Sequence, residues 1–282
     1  VFVYGSTLEL SGSGSVNGPG ATVVIKGGLE TGDLGGGKGS GINVSNIYID
    51  GDVILTSSDA SLGSEEKPGN ISINGDLTLS PTTGRHIWGD VYVNGNFSLG
   101  AVSIHGNVYV DGDINITLDG GAPSIGSGAH IYYTGTIKPL GGGSYDSVIA
   151  KCTWLETAPG FTMPEQEIPS TKPGDWYSGK GYVSSGSLAS NMKIFAESYT
   201  SYVSSATNVI IIASNGDITI NGGWGDPVTG VFFAPNGKVT FNGGLLEGVV
   251  IARDGLIVTN GNAKVTFKNI EEYIADPEDY PF

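Results

Sequence analysis

The chain has 282 residues, 47 of them glycine, with 39% hydrophobic residues and a net charge of −15 from 13 Lys+Arg against 28 Asp+Glu. Glycine far above its usual share of roughly 7%, with no strict three-residue beat, excludes collagen, and the apolar content excludes a disordered chain. The acidic balance argues against nucleic acid and anionic lipid headgroups as partners, because both are bound by placing Lys and Arg on phosphate.

Cys152 is the single cysteine, so an internal disulfide and a cysteine zinc cluster are both ruled out. It is expected to be a buried thiol acting as a small hydrophobe. No stretch reaches the roughly 20 apolar residues of a membrane-spanning helix. The chain starts at Val1 rather than methionine, and the expectation is a trimmed ectodomain whose signal or anchor lies upstream.

From the N-terminus, residues 1–139 are dominated by one recurring phrase: "IYIDGDVIL" (47–55), "ISINGDLTL" (71–79), "VYVNGNFSL" (91–99), "VSIHGNVYV" (102–110) and "VYVDGDINI" (108–116). Alternating apolar residues put one face of a strand in a core. The central Asn-Gly or Asp-Gly predicts a tight corner, with glycine at positive φ. Such a dipeptide ordinarily signals a hairpin, but the larger spacing points elsewhere. Gly216 and Gly222, Gly237 and Gly243, Gly255 and Gly261, and Gly106 and Gly112 are pairs six residues apart, while successive coils recur at about 18–24 residues. A six-residue side inside such a coil predicts an all-β fold, a right-handed β-solenoid or β-helix whose coils stack on a common core.

Residues 140–205 break the pattern and read as a connector. "KPLGGGSYDSV" is a flexible turn region, and "TAPGFTMPEQEIPSTKPGDWY", with four prolines, predicts an extended strap across a surface. Leu188, Met192, Ile194, Phe195 and Tyr199 fall at helix-like intervals and predict one short helix over 187–203. Regular coils resume in 206–282, ending in an acidic, proline-broken tail, "IEEYIADPEDYPF". The two coiled segments are expected either to stack as one rod or to lie side by side.

Possible sites divide by chemistry. Asp50/Asp52 and Asp111/Asp113 offer oxygen ligands at i, i+2, but neither the EF-hand loop nor the nonapeptide calcium roll is present, so these are expected to be corners and no metal is assigned. His86, His105 and His130 belong to no nucleophile elbow, zincin helix or phosphate loop, and His105 takes the Asn/Asp place of a corner, which implies an exposed turn. The two arginines, Arg85 and Arg253, pair with no carboxylates in the manner of an acidic-polysaccharide enzyme. No catalytic residue and no cofactor is expected. Trp88, Trp154, Trp176, Trp224 and the thirteen tyrosines are candidates for a sugar platform or for core and strap anchors. Adjacent Tyr132 and Tyr133 point to opposite faces of a strand. Sequons stand at Asn43, Asn70, Asn96 and Asn115.

The stretch 230–267, with Gly230–Gly237 reading Gly-apolar-x-x-Ala-Pro-Asn-Gly and Gly248–Ala252 reading Gly-apolar-apolar-apolar-Ala, resembles the C-terminal region of PilX-like pilus-assembly proteins. The proline strap ending in Trp176-Tyr177 is similar to their connector, and the "GDV" and "GNV" coils to their repetitive region. The resemblance implies an extracellular structural or adhesive subunit of a type IV pilus or related filament. Its partners would be other pilus subunits, reached through an N-terminal hydrophobic helix outside these residues, and its only membrane contact would be that anchor. A weaker resemblance is to bactofilin-like cytoskeletal β-helices, which lack a 60-residue interruption. The alternative reading is a polysaccharide-binding or polysaccharide-processing β-helix protein, marked by three or more carboxylates, or a carboxylate–Arg pair, in one groove.

Overall fold

The alternating apolar residues of each phrase line the inside of a coil and repeat from coil to coil. In the computed structural model, which describes residues 2–10, 14–30, 34, 41–56, 60–79, 84–165, 167–222 and 227–282, parallel strands stack as a β-solenoid of about 11 turns. Ile47, Ile71, Val91, Val108 and Ile131 form one inward row, and Val53, Leu77, Phe97 and Ile114 another, all buried and each in register with its neighbours. Val, Ile, Leu and Phe suit these rows because a branched or aromatic side chain packs on its counterpart one coil away.

Stack order differs from chain order. In the long sheet the rod runs from Lys193–Ala196 through Ala206–Ala213, Pro227–Ala234, Leu245–Ala252 and Lys264–Phe267, then crosses to Ser15–Ile25 and continues through Gly41–Ile49 to Cys152–Trp154. The two coiled segments therefore form one rod with one core, and the first coil of the chain meets the last at mid-rod. One coil is shared between them. Strand Ser15–Ile25 pairs with Lys264–Thr266 along its first half and with Phe2–Gly5 along its second, while Leu8–Leu10 pairs with Leu256–Val258.

The corners correct one expectation. None of Gly51, Gly75, Gly95 or Gly112 has positive φ. Glycine is required there because the coil below is too close: a Cβ on Gly112 would lie 2.5 Å from the Gly95 carbonyl oxygen, and one on Gly95 2.6 Å from that of Gly75. The phrases also sort into two corner columns, since Gly106 stacks on Gly89 and Gly112 on Gly95. The six-residue interval is the side between these columns. Side chains after the glycine join successive coils: Asp52 Oδ1 accepts from the Asp76 N–H, Asp76 Oδ1 from Asn96, Asn96 Oδ1 from Asp113, and Asp113 Oδ1 from Thr136, at 2.7–3.1 Å. Asp and Asn alternate because each presents the same acceptor.

The span 187–203 holds no helix; it contains the strands Lys193–Ala196 and Tyr199–Val203. Ile194 enters the main core, while Phe195 packs on the other face against Tyr177, and a strand apolar on both faces imitates helical spacing. Among the described residues the α-helices are short, at Asp146–Ile149 and Gly174–Gly179. The proline-rich connector and the acidic tail both dock on the outer face of the C-terminal coils. There Ile210, Ile212, Val231, Phe233 and Val249 point outward and are buried under Trp176, Tyr177, Ile274 and Phe282. Tyr177 locks strap to tail: its hydroxyl donates to the Pro281 carbonyl at 2.6 Å and accepts from the Lys172 N–H, and Lys180 pairs with Asp279 nearby.

Candidate functional site

Beyond the shared coil the same sheet turns a different outer face to solvent. The tyrosine of the phrases "VYVNGN" and "VYVDGD" occupies the outward position between two inward valines. Register stacks Tyr92 on Tyr109 and Tyr109 on Tyr132, with ring centroids 5.1 Å apart in both pairs and interplanar angles of 17° and 10°. Tyr48 and Ser72 continue the row toward mid-rod, and Thr153 ends it. Burial, followed by the nearby Asp90 charge, holds the hydroxyls of Tyr92 and Tyr109 above the ordinary tyrosine range, so these two are neutral and can donate hydrogen bonds.

Across the neighbouring corner lies a second aromatic group. The strands His86–Ile87 and Ser103–Ile104 pair so that Trp88 falls opposite His105, and their rings stack with centroids 3.5 Å apart. His86 stacks on the same indole at 5.4 Å, and its Nδ1 lies 3.0 Å from Nε2 of His105. His105 is exposed, as its corner position implied. Gly89 and Gly106 form the corner between the two aromatic groups, and a shallow cleft beside it is lined by Asn70, Asp90 and His105.

The remaining candidates have structural partners. His130 leans on Tyr132 at 6.2 Å. Asp111 accepts from the Thr134 hydroxyl, Asp50 from the Asn74 amide, and Asp52 and Asp113 belong to the corner ladder. The Lys138 ammonium and the Thr136 donors hold the Asp113 carboxyl down at about 2. Arg85 is buried and donates to the Ala60 carbonyl, and Arg253 pairs with Asp254. Cys152 packs against the core, and burial pushes its thiol up to about 11. Trp176 anchors the strap, Trp154 donates to the Thr134 carbonyl at one rod end, and Trp224 lies outside the described residues. Asn43 donates to Asn17, Asn115 stands within the strand Ile114–Thr117, and the exposed Asn70 and Asn96 take part in coil-to-coil hydrogen bonds. Among the described residues, no three of His, Cys, Asp and Glu gather as a metal cluster, and no helix is long and apolar enough to cross a membrane.

Reading the sequence named the tryptophans and the thirteen tyrosines together and did not single out the row, although Tyr48, Tyr92 and Tyr109 hold one place in three aligned phrases. Comparison of the chain with protein families, with curated proteins and with solved structures returns no match.

Proposed function

We propose that this protein is a non-catalytic, extracellular structural rod that adheres through the bare aromatic face of its N-terminal coils. The observation that carries this reading is the one-ring-per-coil row Tyr92, Tyr109 and Tyr132, half-buried on a face that no described segment covers, beside a covered apolar face elsewhere on the same sheet. Rings stacked along the axis present their edges and hydroxyls outward. Such a stripe suits a long ligand lying along the rod, with apolar C–H groups against ring edges and hydroxyls against phenols. An extended glycan has a repeat of similar length to the 5.1 Å ring spacing. The charge of −15 favours a neutral or amino sugar over an acidic one.

A pilus or related filament is the setting that the sequence resemblance suggests, and a rod held together without disulfides by a continuous apolar core and coil-to-coil hydrogen bonds suits exposure outside the cell. The test is binding to immobilised neutral polysaccharides by the wild type and by the triple variant Tyr92→Ser, Tyr109→Ser, Tyr132→Thr. These replacements copy Ser72 and Thr153, which the same row already contains. Binding by the wild type and at least tenfold weaker binding by a folded triple variant is the expected result. Equal binding by both, or none by the wild type, overturns the reading.

A further inference from the structure

We propose that His86 and His105 form a binding site for one divalent transition-metal ion of the kind that takes imidazole ligands in tetragonal geometry, Cu(II) above all. Their facing nitrogens, Nδ1 of His86 and Nε2 of His105, are 3.0 Å apart. Two metal–imidazole bonds of about 2.0–2.1 Å meeting at a right angle place their nitrogens about 2.9 Å apart, so the pair already has the bite of two adjacent ligands in a square plane. Rotation about the soft χ2 of each ring turns both lone pairs onto a common point.

The protonation state is also suitable. A hydrogen bond between two imidazoles needs one ring to donate and the other to accept, so at least one is neutral. Neutral imidazole is the ligand form. Trp88 stacks on both rings and keeps them side by side, so binding has only to turn the two rings and not to bring them together. The adjoining cleft carries Asp90 and Asn70, so the surroundings favour a cation. No third His, Cys, Asp or Glu joins the pair among the described residues, which leaves the other coordination positions to water or to a ligand from outside. The site is separate from the tyrosine row and stands whether or not a glycan binds there.

The experiment is titration of the full chain with CuCl2 near neutral pH in a non-coordinating buffer, followed by tryptophan emission and by electron paramagnetic resonance. One saturable equivalent should quench emission, because the Trp88 ring lies 3.5 Å from that of His105, and the resonance spectrum should show two coordinating imidazole nitrogens. His86→Gln and His105→Gln should each weaken binding by more than about tenfold, and His130→Gln should leave it unchanged. Trp88→Phe should keep the copper uptake seen by calorimetry and lose the quenching. Copper binding of unchanged affinity in the folded double variant His86→Gln/His105→Gln overturns the proposal. So does a wild-type spectrum without two nitrogens, a measurement independent of how any variant folds, or the absence of a saturable equivalent, which would leave a hydrogen-bonded pair only.

Discussion

The two halves of the rod share an inside and differ on the outside. In both, inward rows of Ile, Val and Phe stack in parallel register, and in both a corner carboxylate accepts from the next coil: Asp76 from Asn96 in one half, Asp217 from Lys238 in the other. On the outer face of the long sheet, Ile212 and Phe233 lie under strap and tail, whereas Tyr92 and Tyr109 stay partly exposed, with no cover among the described residues. Inward side chains and corners thus specify a coil, while the outward positions decide whether a coil supports another part of its own chain or faces something else.

The largest expected effect tests that contrast directly. Phe233→Ala removes an outward ring that is wholly buried and packs against Phe282, and truncating a buried Phe costs about 3–5 kcal/mol. Tyr92→Ser removes an outward ring from the bare face and one stacked pair, worth about 1 kcal/mol. Chemical denaturation of the two variants should show this difference in midpoint. Comparable losses would mean that the tyrosine row is itself a structural seam, and the distinction between covered and bare faces would fail.

Next in size is the corner, where both halves should behave alike. Gly112→Val must push a Cβ away from the Gly95 carbonyl, and overpacking of this kind costs about 1–3 kcal/mol. A Cβ at Gly142 meets nothing within 4 Å, so Gly142→Val should change the melting temperature little. Gly237, whose Cβ would lie 2.3 Å from the Gly216 carbonyl oxygen, gives the matching test in the C-terminal half, and Gly237→Val should cost as much as Gly112→Val.

These glycines also show what the sequence makes legible. Their recurrence at six and about twenty residues reveals a coil, because stacked backbones leave no room for a side chain at the same place in every turn. The cause was misread as positive φ, since Asn-Gly and Asp-Gly are common in left-handed turns and the close approach exists only between coils. Phe195 misled for a related reason: a strand buried on both faces loses its alternation, and Ile194-Phe195 then fits a helix. The stack order was not legible at all, because the shared inward pattern lets any coil sit on any other. Nothing in residues 264–267 indicates that they share a coil with residues 2–5. The contact of His86 with His105 needs the register of two coils, which no local pattern supplies.

A smaller effect concerns the corner ladder. Asp76→Ala deletes the acceptor for the Asn96 N–H at 2.7 Å, and Asp217→Ala the acceptor for the Lys238 N–H at 3.0 Å. Each should cost about 0.5–1.5 kcal/mol. Asp76→Asn and Asp111→Asn keep an oxygen in place and should stay within about 0.5 kcal/mol of the wild type. Urea unfolding of the set separates an acceptor requirement from a charge requirement. If the Asn variants lost as much as the Ala variants, the carboxylate charge would matter and the corners would need rereading.

The smallest effect is set by charge near the outer end of the N-terminal half. The Lys138 ammonium is the main cause that holds the Asp113 carboxyl at about 2 rather than its ordinary 3.8, with the Thr136 N–H and hydroxyl adding to it. A carboxyl lowered in the folded state contributes stability that is complete above its unfolded value and is lost as pH falls through the folded one. The contribution should therefore be intact above about pH 4 and fade toward pH 2. Lys138→Gln raises the folded value toward the unfolded one and should flatten this part of the pH–stability curve, with little change at neutral pH because the pair is exposed. Salt at about 1 M should narrow the gap between wild type and variant by screening the pair. If the two curves instead run parallel from pH 4 to pH 2, Thr136 rather than Lys138 holds the carboxyl down. The corner hydrogen bonds, Asp113 Oδ1 from the Thr136 N–H and Asp217 Oδ1 from the Lys238 N–H, would then be the feature that the two halves share, and the ion pair with Lys138 an ornament of one of them.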